Sequence, residues 1–364
     1  MHRSFVRKTA RESGIEFQGK CGKNNDITDL GVQVGHSTVI SGSGKLDVGK
    51  GPVRTGVTAI HPRKSLEPVF GNWYSSNGNG EMTGTTWLEE SGFVEGPICI
   101  TNTHSVGTVR DTVIQWLFEH NHFDENNDVW ALPIVAETWD GRLNDLNGFH
   151  VKPNHVMDAL NSAKAGNLSQ GNVGGGTGMI CHQFKGGIGS SSRVLSDKEG
   201  GYSVGVIVQA NYGYRELLTI QGAPIGRKLK GYDPVYNTNP PETETGSIIA
   251  IVATDAPLLP HQLRRIARRV PFGLARMGGT SGNSSGDIFL SFSTANEGAY
   301  SKDITQVEML SNEEISPLFL ATIQATEEAI TNALFCAETM TGINDNTVYG
   351  IPHDEVIDLI SKYT

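Results

Sequence analysis

Cysteine is scarce in this 364-residue sequence: Cys21, Cys99, Cys181 and Cys336 are the only four, and no two stand close enough to form a CxxC. That excludes a zinc ribbon or a thioredoxin-type redox pair, and it is too few for a disulfide framework. Buried, reduced thiols are expected instead. Charge is also low. Only 19% of residues are charged, and the acidic ones lead, for a net charge of −10. Non-specific nucleic-acid binding needs a basic field that such a chain does not supply. No run of 18 apolar residues occurs, so no membrane-spanning helix is expected. The first 30 residues hold no apolar core of a signal peptide, which points to a cytoplasmic protein.

Several chemical fingerprints are missing too. In the glycine-rich stretch 174–178, Met179 stands where the last glycine of GxGxxG belongs, so no dinucleotide fingerprint forms. No Gly-Lys pair is followed by Ser or Thr, which removes the P-loop, and SxxK is absent. His120, His122 and Asp124 lack the HExxH spacing and read as ordinary surface residues.

What is present is 44 glycines and a series of short apolar runs. Residues 31–35, 56–60, 97–101, 133–136, 202–210, 247–253 and 287–292 read as strands. Residues 260–270 read as a helix with Leu263, Ile266, Ala267 and Val270 on one face. Arg264, Arg265, Arg268 and Arg269 form a solvated face opposite. The longest helix is expected from Ser316 as N-cap, with Pro317 in its first position, to about Thr341 before Gly342. The polar first 25 residues read as an irregular lead-in. Residues 228–245, with Pro234, Pro240 and Pro241, form the one long polar break.

That break ends at Gly246-Ser247, directly before an apolar strand. A serine hydroxyl so placed can attack the preceding carbonyl, shift the chain to an ester and be released by water. Gly246 has no Cβ to obstruct the attack and tolerates unusual backbone angles. Cleavage would leave Ser247 with both a nucleophilic hydroxyl and a free α-amine. An α-amine titrates near pH 8, so it serves as a base close to neutrality.

The segment GSIIAIVATDAPLLPHQLRRIARR resembles the one that begins at the nucleophile in the DmpA-like autoprocessing aminopeptidases, the L-aminopeptidase/D-esterases and β-peptidyl aminopeptidases. NDITDLGVQVGHST, NGNGEMTG, ITNTHSVGTVRD, VAETWDGRLND, VGGGTGMICHQFKGGIGSSSR, VQANYGYR and SGDIFLSFSTAN extend the likeness from about residue 26 to 340, in order. The resemblance implies an α/β fold, a four-layer α/β/β/α sandwich of the type shared with ornithine acetyltransferase. It implies one catalytic domain, cleaved into residues 1–246 and 247–364, that pairs as a heterodimer and assembles into a homo-oligomer. It further implies release of N-terminal residues from short peptides, amides or esters through an acyl-enzyme, with no metal or organic cofactor.

Site residues carry over position by position. Ser247 is the nucleophile implied, Asn211 the oxyanion donor, and Ser285 with Asp287 a relay to the nucleophile's surroundings. Ser285 and Asp287, two apart on a strand, are expected on one face. Asp287 is one methylene shorter than the Glu of many members. Glu137 is the acid implied to pair with the substrate's free ammonium. Trp139 stands where some relatives have Tyr. Its indole donates but cannot accept, so it is carried over only as a pocket wall. The glycine-rich stretches are expected to allow close packing or to line the cleft. Two other readings stay open: acyl transfer in the manner of ornithine acetyltransferase, whose nucleophile is Thr, and an unprocessed, inactive binding homologue.

Overall fold

The computed structural model describes residues 7–120, 130–237 and 246–363. In chain order its elements are β1 (Gln33–Ser41), β2 (Val53–His61), β3 (Val69–Gly78), α1 (Thr85–Ser91), β4 (Phe93–Val94), β5 (Ile98–Asn102), α2 (Val106–Glu119), β6 (Ile134–Thr138) and α3 (Pro153–Asn161). There follow β7 (Ile180–Cys181), β8 (Phe184–Lys185), β9 (Gly187–Val194), β10 (Ser203–Asn211), α4 (Ile225–Lys228), β11 (Ser247–Thr254), α5 (Pro260–Ala267), α6 (Val270–Arg276), β12 (Gly286–Ser293), α7 (Ser316–Phe335) and α8 (His353–Ile360).

One sheet has four strands in the order β1-β2-β5-β6, and another has six in the order β4-β3-β12-β11-β10-β9. Strand side chains alternate between faces, and β11 shows what each face meets. Ile249, Ile251 and Ala253 pack into the layer between the sheets with Ile100, Ile134, Ile207 and Leu290. Ile248, Ala250 and Val252 pack under α5, α6 and α7 with Leu263, Leu274 and Ala329. A strand buried on both faces needs an unbroken apolar run, which residues 248–253 supply. Beyond the four-stranded sheet, Val57, Cys99 and Val135 pack against Val109, Val113 and Val156 of α2 and α3. The four layers are therefore helix, sheet, sheet and helix, as the resemblance implied.

Some local expectations change. The helix expected over 260–270 is two helices, because the ring of Pro271 opposes the carbonyl of Ala267, where α5 stops. Its arginine face is not simply solvated: Arg269 lies 3.8 Å above the ring of Phe319 on α7, and Arg264 meets Glu89 at 2.9 Å. The long helix begins with Ser316 inside it and buried Ile315 at the cap, and it ends at Phe335. Gly342 is no terminator. A Cβ there would stand 2.0 Å from the Leu143 carbonyl oxygen, so the glycine allows a close backbone approach.

The lead-in is irregular but anchored, with Ala10, Ile15 and Phe17 in the core beside α7. The glycine-rich stretches serve packing: a Cβ on Gly189 would stand 1.9 Å from Ala329 O of α7. None of the four cysteines is in a disulfide. Cys99 and Cys181 are buried as expected, whereas Cys21 and Cys336 are only half-buried. His122, Asp124, Pro240, Pro241 and Thr245 lie outside the described residues. Among the described residues, no helix is long and apolar enough to cross a membrane.

Candidate active site

Ser247 opens β11 at the centre of the six-stranded sheet. Asn211 pairs with it across the antiparallel neighbour β10, and Gly286 across the parallel neighbour β12. Paired residues share a sheet face, and the alternation of β11 turns Ser247 toward the layer between the sheets. The serine is only 5% exposed. Its Oγ donates to Gly246 O at 2.8 Å and accepts the Gly286 N–H at 3.3 Å. The hydroxyl thus lies against the carbonyl it would attack in self-cleavage. Gly246 is needed here for space: a Cβ on it would stand 2.4 Å from Asn211 O.

The Asn211 amide is held at both ends. Its Oδ1 accepts the Ile180 N–H at 2.8 Å, and its Nδ2 donates to Trp139 O at 2.9 Å. These partners set the amide's orientation, because the flipped form would oppose donor to donor and acceptor to acceptor. Among the described residues, Trp139 O is the one acceptor seen for Nδ2, which has a second hydrogen to donate. Trp139 therefore joins the site through its carbonyl. Its half-buried ring lies over Gly141, where a Cβ would come within 2.5 Å of the indole, and Arg142 sits 5.5 Å above the ring.

Ser285 donates to Asp287 Oδ1 at 2.6 Å, so the two do meet. They lie just beside Ser247. Asp287 pairs in register with Ile248, whose N–H bonds its carboxylate, while the hydrogen bonds of Ser247 Oγ are to Gly246 and Gly286. Burial raises the Asp287 pKa, and the Ser285, Ser281 and Ile248 donors oppose that shift.

Glu137, at the end of β6, is 4% exposed. Its Oε1 accepts the Glu81 N–H at 3.0 Å and its Oε2 accepts the Thr103 hydroxyl. Burial raises its pKa above the ordinary carboxylate range, the two donors lower it, and the nearby Glu81 charge raises it further. Gly80 lies between this acid and β12, the strand paired with that of Ser247. A Cβ there would stand 3.0 Å from Gly286 Cα and 3.3 Å from Glu137 Oε1. A side chain at position 80 would fill the gap between the carboxylate and the glycine paired with Ser247.

Sequence reasoning missed the Gly286 N–H, Gly80 and Thr103. It also missed Ile180, whose N–H is a backbone group that carries no residue signature. The one available signal was the glycine in Ser-Gly-Asp, which leaves the face beside Ser247 open.

Residues 25–348 match the model of the family described as peptidase family S58. The chain is 50% identical to the β-peptidyl aminopeptidase BapA of Sphingosinicella microcystinivorans, over 97% of this chain and 92% of that one. Its fold superposes on the PH0078 protein of Pyrococcus horikoshii OT3 with a TM-score of 0.91 at 44% identity, covering 98% of this chain and 99% of that one. It superposes equally widely on the L-aminopeptidase D-Ala-esterase/amidase of Ochrobactrum anthropi, described as a prototype serine aminopeptidase and a variant of the Ntn-hydrolase fold. The TM-score there is 0.89 and the identity 40%.

Proposed function

From the premise that this chain belongs to peptidase family S58 and is a serine aminopeptidase, we propose that Ser247 frees itself by cleaving Gly246–Ser247 and then serves as the nucleophile. The observation that carries this reading is the hydroxyl of Ser247, 2.8 Å from the Gly246 carbonyl oxygen at the head of a central strand. In processing, Oγ adds to the Gly246 carbonyl carbon and the C–N bond breaks, leaving an ester. Water then hydrolyses the ester to a Gly246 carboxylate and a free Ser247 α-amine. Residues 1–246 and 247–364 become two chains of one catalytic domain.

In turnover, Oγ attacks the carbonyl of the substrate's first residue and the α-amine takes the hydroxyl proton. The second Asn211 Nδ2 hydrogen stabilises the oxyanion. The leaving amine departs protonated, and water releases the acyl group. Asp287 and Ser285 hold the start of β11 and orient the new α-amine. Glu137 receives the ammonium of the residue being released, across the space kept by Gly80, and Trp139 and Arg142 wall the approach. Identity to a named β-peptidyl aminopeptidase supports an N-terminal β-amino acyl group as the preferred substrate. A homo-oligomer is supported by the segment 301–309, which is exposed throughout with Ile304 fully so, a surface suited to burial by a second copy. Cysteines outside any disulfide suit a reducing cytoplasm.

Intact mass spectrometry of freshly purified protein should show chains 1–246 and 247–364, and Ser247→Ala should stay whole. Scission of the Ser247→Ala protein at the same bond would sink self-cleavage. A p-nitroanilide panel of β-Ala, L-Ala and D-Ala should favour β-Ala; a preference for either α-amino acid would overturn that substrate class.

A further inference from the structure

We propose that Lys185 and Asp140 are positioning residues for the Asn211 amide, acting through the two peptide units that hold it. The inference rests on the oxyanion role given to Asn211 above. Lys185 is fully buried, and its Nζ donates to Met179 O at 2.7 Å and to Gly186 O at 2.9 Å. The Met179 carbonyl belongs to the same peptide unit as the Ile180 N–H, which bonds Asn211 Oδ1. A cation on one end of a peptide unit polarises its N–H at the other end. Polarisation then passes through the Asn211 amide to the Nδ2 hydrogens, which become stronger donors.

The opposite end is built the same way with the opposite sign. Nδ2 donates to Trp139 O, and the N–H of that same peptide unit belongs to Asp140 and bonds the Asp140 carboxylate. Asp140 is 1% exposed and is held by the amides of Asn102 and Asn144 at 3.0–3.2 Å. A buried carboxylate makes the Trp139 carbonyl a better acceptor. The amide thus sits between an ammonium and a carboxylate, one peptide unit from each, with every link a hydrogen bond.

The geometry is costly to build, which argues that it has a use. Burial holds Lys185 down at about 7, against the charge of Asp140, and holds Asp140 up at about 6, against hydrogen bonds from Thr55, Asn144 and Asn102. An apolar side chain at 185 would avoid that desolvation. The hairpin of β7 and β8 already has its own closing bond, Gly186 N–H to Met179 O at 3.0 Å. Lys185 adds charge to a carbonyl that is already bonded.

A double-mutant cycle tests this on the processed enzyme, with active sites counted by a serine-directed reagent. Asn211→Ala should lower kcat by about 10²–10³. Lys185→Met should lower kcat by about tenfold to hundredfold with KM changed less than about twofold. The double variant should be no slower than Asn211→Ala alone, because Lys185 acts only through that amide. If Lys185→Met leaves kcat unchanged, or its loss multiplies that of Asn211→Ala, the proposal fails. If Lys185→Met does not fold, Asp140→Asn enters the same cycle, with the same non-additivity expected and the same multiplication fatal. A normal kcat for Asn211→Ala would instead defeat the oxyanion reading itself, a separate outcome.

Discussion

Three residues show how little chemistry each side chain carries until its neighbours are known. Ser247 is one serine among many, made special by the carbonyl 2.8 Å away and the Gly286 N–H behind it. Asn211 is a strand-end asparagine whose amide is oriented by its two backbone partners. Glu137 is buried with its pKa raised chiefly by desolvation. As pH falls through that raised pKa, the carboxylate takes up a proton and no longer attracts a substrate ammonium, so KM should rise on the acid side sooner than for an ordinary Glu. Glu137→Gln should lower kcat/KM by about 2–5 kcal/mol for free-amine substrates and abolish that acid-side rise. KM measured against pH for both proteins checks it; the same acid limb in both would remove Glu137 from amine recognition. The identity of this acid was legible from the family-like motif around it. Its place beside the glycine paired with Ser247 was not, because that depends on a glycine at position 80, far from both in the chain.

Among the elements, α7 does most to hold the six-stranded sheet's outer face. Glu328, fully buried in the middle of α7, meets Arg193 of β9 at 2.8 Å and Arg11 of the lead-in at 2.7 Å. The helix, the edge strand and the N-terminal segment therefore share one charge cluster. Removing the acid leaves Arg193, itself 1% exposed, without a counter-charge. Glu328→Ala should cost about 3–5 kcal/mol of stability, read as a shift in the midpoint of urea unfolding. A loss below about 1 kcal/mol, the range of surface pairs, would show the cluster to be solvated in solution. The sequence placed α7 by its Pro317 start but overran its end. Helical periodicity alone does not show that the chain turns away at Cys336 to meet the 340–348 region.

At the scale of the whole molecule, cleavage at Gly246–Ser247 would not divide the fold. The strands β11 and β12 of the second chain lie between β10 and β3 of the first. Both cores between the layers draw residues from both chains. The processed chains should therefore co-elute under native conditions and separate only in denaturant, with one cooperative unfolding transition. Two separate transitions, or native release of the 247–364 chain, would contradict this placement.

Local pattern by itself marked strands such as β11, since residues buried on two faces are apolar in succession, as in 248–253, but it did not mark β3 or β9. It also marked a serine at the junction of a polar loop and a buried strand, and its motifs named the acids and amide around it. Only the tertiary structure decided that Asn211 stands across from Ser247, that Gly286 offers its N–H, and that Glu137 faces them across Gly80. It alone set Lys185 and Asp140 at the two ends of the Asn211 amide. Hydrophobic periodicity is local, whereas these contacts depend on strand register and on the meeting of two sheets. Register joins residues 36 apart at Asn211 and Ser247, and the chain closes such pairs only when the buried faces on both sides are satisfied together.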